Sequence, residues 1–144
     1  MRQQEDSMST IYTYWISTAL LCLLYLASAY IYVARGNWTR QALADLGYPA
    51  YLVPTMIAVK ILGAAAILSR FSVALSDLAY AGIFYHLLLS GLAHFGVRKP
   101  RGALPAAVGL ALLAASFLTQ NAAREAPSPY MQAMMFRHGE TSKL

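Results

Sequence analysis

A chain of 144 residues is about one domain long, but with 58% hydrophobic and only 12% charged residues it lacks the charge that keeps a soluble domain in water. The net charge of +5 calls for no nucleic acid, because basic residues flanking apolar runs are attracted to anionic lipid. A single cysteine, Cys22, cannot close an internal disulfide, which excludes membrane disulfide exchange through paired thiols.

The apolar residues gather into four runs of the length a bilayer demands, about 20 residues for about 30 Å of hydrocarbon. A polar tail, residues 1–10, comes first and is expected to be mobile. The first run spans Tyr14 to Val33 and ends at Arg35, with Tyr12, Tyr14 and Trp15 at one rim and Tyr30, Tyr32 and Trp38 at the other. Ala27-Ser28-Ala29 has the form of a signal cleavage site. Glu5 and Asp6 outnumber Arg2, however, and the run continues past the site, so an uncleaved span is expected. Bulky Leu21 before Cys22 argues against a lipoprotein signal, and Cys22 reads as packing. Steps of about 100° per residue place Tyr14, Thr18, Cys22, Tyr25, Ala29 and Tyr32 on one stripe, opposite Leu20, Leu23, Leu24 and Ile31.

In the segment "GNWTRQALADLGYPAYLVP", Thr39 is expected to cap a short helix that Gly47 ends and Pro49 keeps from continuing. Trp38, Leu43 and Leu46 would lay it on the membrane surface. The second run, Tyr51 to Leu68, ends at Arg70 and carries Lys60 at its middle, roughly 13 Å from either end and too deep to snorkel to water. Lys60 must then face protein or a wet cavity, with Met56, Gly63 and Ala64 as its helical neighbours. A short loop, Ser69 to Ser76, makes an antiparallel hairpin with the third run, Leu78 to Phe95, which Arg98 and Lys99 close. Ser76 or Asp77 is its expected N-cap. Lys60 lies thirteen residues before Val73 and His86 thirteen after it, so the two share one depth. On the third run Ala79, Gly82, His86, Ser90, Ala93 and His94 form a small and polar face predicted to turn inward. Leu78, Tyr85, Leu88, Leu92 and Phe95 turn outward. The fourth run starts at Leu104-Pro105 and fades through Thr119, Gln120 and Asn121 to Arg124. The remaining tail, residues 125–144, opens with Pro127-Ser128-Pro129 and is likewise expected to be mobile.

These runs predict an all-α, polytopic membrane protein: a four-transmembrane-helix bundle over residues 11–124 between two polar tails. Loops one and three carry Arg35, Arg40, Arg98, Lys99 and Arg101, against Arg2, Arg70 and Arg124 near the other side, which points loops one and three to the cytoplasm.

No Asp or Glu lies within a span, so Lys60 has no buried carboxylate partner. It is then neutral, or hydrogen-bonded to Tyr25 or a carbonyl as packing, or matched by an anionic or carbonyl-bearing ligand. An intramembrane ionisable group is read as functional by default. The candidate ligand-binding set is Lys60, His86, Tyr25 and Ser90. No metal site is expected, since His86 and His94 lie eight residues and about 12 Å apart and His138 is in the tail. His94 is expected to be a satisfied interior histidine.

The stretch "LGYPAYLVPTMIAVKILGAAAIL" resembles the DoxX-like family of small membrane proteins, through the Leu46-Gly47-Tyr48-Pro49 turn, Tyr51, the Lys60 to Gly63 spacing and the later Tyr80-Ala81-Gly82. The resemblance covers Tyr14 to Arg124 and implies four transmembrane helices. The family is named for proteins similar to subunits of a thiosulfate:quinone oxidoreductase, and distant relatives resemble assembly factors for membrane receptors. By position Tyr48, Pro49, Lys60, Gly63 and Tyr80 match its pattern, and none is thereby catalytic. The leading expectation is a protein that holds a quinone-like or other lipophilic ligand in its bundle, as a subunit of a membrane redox assembly whose partner carries the electrons. No flavin motif, paired thiols or haem site is legible in this chain. The alternative is a non-enzymatic assembly factor or structural subunit that captures a membrane-protein partner, or a second copy in a homo-oligomer, through "YMQAMMFRHG" and its adaptable methionines. The last residues, Ser142-Lys143-Leu144, match a peroxisomal address that is read on soluble cargo. Four spans would commit the chain to a membrane first, so a multi-pass protein of the cytoplasmic membrane is expected.

Overall fold

Four helices long and apolar enough to cross a bilayer dominate the computed structural model, which describes residues 2–124 and 128–130. Helix α1 (Arg2–Ala34) is followed by the short α2 (Gly36–Asp45), then by α3 (Leu52–Ser69) and α4 (Val73–Gly96). A 3-10 turn (Pro100–Ala103) leads into α5 (Leu104–Thr119), and a second one (Gln120–Ala123) ends it. No strand occurs among the described residues, so the molecule is an all-α, multi-pass membrane protein. Only helices and closed barrels satisfy their backbone polar groups in hydrocarbon, and these runs take the first solution.

Each spanning helix packs on two others, α1 on α3 and α5, and α4 on the same pair, which closes an up-down-up-down bundle. Leu21, Ile67, Tyr80, Ile83, Leu87 and Leu113 fill its centre. Glycine sets two of the approaches. A Cβ on Gly63 would stand 3.4 Å from Ile83, and one on Gly109 would stand 2.8 Å from Leu87. Helix α2 lies across the bundle end that holds the α1–α3 and α4–α5 connections.

The α1 stripe falls as read from its periodicity, with Tyr14, Thr18, Cys22, Tyr25 and Ala29 buried and Leu20, Leu23 and Ile31 exposed. Tyr12, Trp15, Tyr30 and Trp38 remain outside, as rim aromatics would, whereas Tyr14 turns inward. On α4 the outward face also agrees, but the inward face is rotated. Ser76, Tyr80, Ile83 and Leu87 form its buried centre, His86 and Ser90 sit half-buried at its flank, and Gly82 is exposed. Lipid tails are as apolar as leucine, so packing of the large Tyr80 and Ile83 decides the rotation rather than polarity alone.

Three boundary expectations are corrected. Residues 2–10 continue α1 as helix rather than forming a separate tail. Thr39 does not cap α2, because the helix starts at Gly36, one residue after α1 ends, and the Thr39 N–H already donates to the Arg35 carbonyl. The N-cap of α4 is Ser72, whose hydroxyl accepts from Leu75 N–H at 3.1 Å, so Ser76 and Asp77 lie inside the helix. Arg70 in the left-handed conformation (φ 50°) reverses the chain at once, which makes the hairpin shorter than its polar residues suggest. Gly47 ends the α2 turn as read: its φ is +82°, and Tyr48 N–H donates back to the Leu43 carbonyl. The methionine-rich tail, His138 and Ser142-Lys143-Leu144 lie outside the described residues.

Candidate functional site

Beneath α2 the bundle encloses a cavity of about 420 Å³ lined from every helix. Helix α1 presents Tyr25, Ser28 and Tyr32 to it at spacings of three and four, which keep them on one face. Helix α4 presents His86, Ser90 and His94 by the same rule, α3 presents Lys60, and α2 covers the space with Thr39, Leu43 and Leu46. The four residues singled out from sequence, Lys60, His86, Tyr25 and Ser90, thus meet around one space.

Lys60 is 5% exposed. Its Nζ lies 5.2 Å from the Tyr25 ring centroid and 5.0 Å from that of Tyr32, a position between two aromatic faces. Its side chain makes no hydrogen bond and no ion pair among the described residues, and the salt bridge present there, Lys99 to Asp45 at 3.6 Å, is on the surface. Two rings offset only part of what an ammonium loses on leaving water, which is several kcal/mol. The three N–H donors of Lys60 are left to the cavity. The Tyr25 hydroxyl is engaged elsewhere, sharing a hydrogen bond of 2.8 Å with His86 Nδ1 and reaching the Ile83 carbonyl at 3.4 Å. Lysine therefore touches the face of Tyr25 and not its oxygen. Ser90 bonds neither histidine.

His94 departs from its expected state, because its Nδ1 is buried with no partner among the described residues. Its ring stacks so closely on Gly102 that a Cβ there would collide with it. Thr39 Oγ1 is also buried and unpartnered. Sequence reasoning missed Thr39 and Gly102. The first was legible in the four-residue spacing of Thr39 and Leu43, while Gly102 depends on how the α4–α5 connection folds back and has no sequence signal of its own. A second cavity, about 280 Å³, shares Tyr32, Leu43, Leu46, His86 and Ser90 with the first and continues between α3 and α4 along Met56, Val59 and Leu89. The polar chamber thus runs into an apolar channel.

The opposite end of the bundle is polar but closed. Ser116 Oγ lies 2.6 Å from both Thr18 Oγ1 and Tyr80 Oη. Asp77 accepts from Gln120 Nε2 at 3.3 Å and from Ser128 Oγ at 2.7 Å, and Ser128 N–H donates to Asn121 Oδ1 at 2.8 Å. The Arg70 guanidinium donates to the Ala123 carbonyl and sits 5.4 Å from the Trp15 ring. Asp77 is a clasp between α4 and the chain after α5. Two wider grooves on the outer surface of α4 and α5, about 530 and 650 Å³, are walled by leucine, alanine and aromatic side chains, and no unpartnered polar atom lines them. Among the described residues no three His, Cys, Asp or Glu side chains come together as a metal site would require.

No curated protein and no solved structure matches the chain. The sequence model of the DoxX-like family matches residues 16–116, a span that includes Tyr25, Lys60, His86, Ser90 and most of all four spanning helices. On that match over more than half its length, the chain belongs to the DoxX-like family.

Proposed function

We propose that this membrane protein holds a quinone-like or other lipophilic, oxygen-bearing ligand within its bundle. One observation carries the reading: the buried Lys60 ammonium borders a 420 Å³ cavity and has no anion or acceptor of the chain's own. A ligand oxygen there accepts from Lys60. His86, held by Tyr25, and Ser90 complete the polar lining, and the ligand's apolar tail follows the channel between α3 and α4 toward lipid. The chain offers hydrogen bonds and orientation, so in a membrane redox assembly a partner would supply the electron carriers. The cytoplasmic membrane, with loops one and three inside, is the location that this reading adopts.

Native mass spectrometry of the protein released from native-lipid nanodiscs tests the reading. A lipophilic adduct is expected on the wild type and is expected to be lost in Lys60→Met. Equal adducts on both proteins would overturn it. The assembly-factor alternative has one observation in its favour: Ser128 is docked on Asp77, so the tail leaves the bundle from a fixed point. Under that alternative no adduct is found, and removal of residues 131–144 abolishes partner capture while the bundle stays folded.

A further inference from the structure

The cavity has a second polar pole. Thr39 is 1% exposed and its Oγ1 is unpartnered, and the buried Nδ1 of His94 is unpartnered in the same lining. Local structure does not account for the threonine. In helices a serine or threonine hydroxyl ordinarily turns back to a carbonyl three or four residues earlier. Thr10, Thr13, Ser17 and Thr119 of this chain all do so, at 2.6–2.8 Å, whereas Thr39 does not. Nor is the histidine adaptable, because its ring is wedged against Gly102. Buried polar atoms are nearly always paired, so two orphans bordering one space mark the place of a bound group.

We infer that Thr39 and His94 form a second anchor, and that the ligand carries hydrogen-bonding groups at two opposite ends of a compact, ring-sized body. This rests on the reading of Lys60 given above. His94 follows His86 by eight residues on α4, a rise of about 12 Å. Two hydrogen bonds of about 3 Å, one at each pole, leave roughly 6 Å between them, the width of a single ring with its substituent atoms. A lipid with one polar end satisfies one pole and leaves the other bare. A ligand with two opposed oxygens satisfies both.

The test uses the full chain in phosphatidylcholine nanodiscs and two probes: 2-decyl-1,4-benzoquinone, with carbonyls across the ring, and 4-decylcyclohexanone, with one. Thr39→Val keeps the side-chain volume and removes the hydroxyl, Thr39→Ser keeps the hydroxyl, and His94→Phe keeps a ring without its nitrogens. In Thr39→Val and His94→Phe the quinone Kd is expected to weaken about tenfold, while the cyclohexanone Kd holds. Thr39→Ser should bind both probes as the wild type does, and Lys60→Met should weaken both. Thermal melting in the same discs identifies any variant that has lost its fold, and the inference then rests on the other of the two. If Thr39→Val and His94→Phe weaken the two probes equally, or neither, the second anchor is overturned and its orphan atoms hold only water. The Lys60 reading then still stands on the loss in Lys60→Met. If Lys60→Met weakens neither probe, that reading falls and the inference with it.

Discussion

Lys60 is compensated by two aromatic faces and by no anion, so it is worth more to binding than to stability. Replacing an under-compensated buried charge with an apolar side chain of similar length is neutral or stabilising by about 1–4 kcal/mol. Lys60→Met is accordingly expected to unfold at an equal or higher temperature in bicelles while it loses its ligand, and a clear destabilisation would contradict this account. Tyr25→Phe acts in the other direction. It removes the hydroxyl that fixes His86 and is expected to cost about 1–2 kcal/mol in the same measurement, with weaker ligand binding. Lys60, His86, Tyr25 and Ser90 were legible because helical periodicity and depth along a hairpin can be counted from sequence. The unpartnered state of His94 was not, because whether a polar atom finds a partner depends on the neighbouring backbone, and Gly102 became visible only once the α4–α5 connection was placed.

At the scale of elements, α2 is the part that closes the chamber. Thr39 and Leu43 turn into the bundle, and the surface pair of Asp45 with Lys99 ties its C-terminal end to the connection between α4 and α5. The Gln41 side-chain hydrogen bond, and next the Lys99 charge, hold the Asp45 carboxyl below its usual value. A carboxyl lowered in the folded state contributes its full stabilisation above its unfolded value and loses it as pH falls through the lowered one. In a Trp15→Phe background, Trp38 emission should therefore stay constant above the carboxylate range and change only at more acid pH. Asp45→Asn should remove that change, and a transition that persists in Asp45→Asn would assign it to another group. The existence of α2 and its end at Gly47 could be read from the turn residues. Its start could not, since α1 runs almost directly into it and needs no side-chain cap. The same holds for α4, where Ser72 was passed over for the polar pair that follows it, Ser76 and Asp77, both of which the fold buries.

Across the whole molecule the two ends differ in how their polar groups are satisfied. At the end with Asp77 the chain supplies the partners, and Ser116 serves Thr18 and Tyr80 together. Hydrogen bonds between helices in a bilayer contribute about 0.6 kcal/mol on average and up to about 1.7. Ser116→Val breaks two and is expected to cost about 1–2 kcal/mol in unfolding while leaving probe affinity unchanged, because the damage lies away from the chamber and effects at distant sites add. A matching loss of affinity would show that the ends are coupled. Four spans and a bundle follow from sequence because hydrocarbon allows few other solutions. Which end holds the cavity does not follow, since both are equally rich in Ser, Thr and Tyr and differ only in whether another helix brings an acceptor within reach.

The depth of Lys60 also has an electrical consequence. It sits eight residues from one end of α3 and nine from the other, so a charge that reaches it through the chamber has crossed about half of the transmembrane voltage drop. At about 2.3 kcal/mol per charge for each 100 mV, half the drop is about 1.1 kcal/mol, or roughly sixfold in occupancy. In vesicles polarised with a potassium gradient, occupancy by an uncharged molecule should not respond to the imposed potential, whereas an anion should load or unload by about that factor according to the sign. A single titration at two voltages would thus report the charge of whatever Lys60 receives before its structure is known.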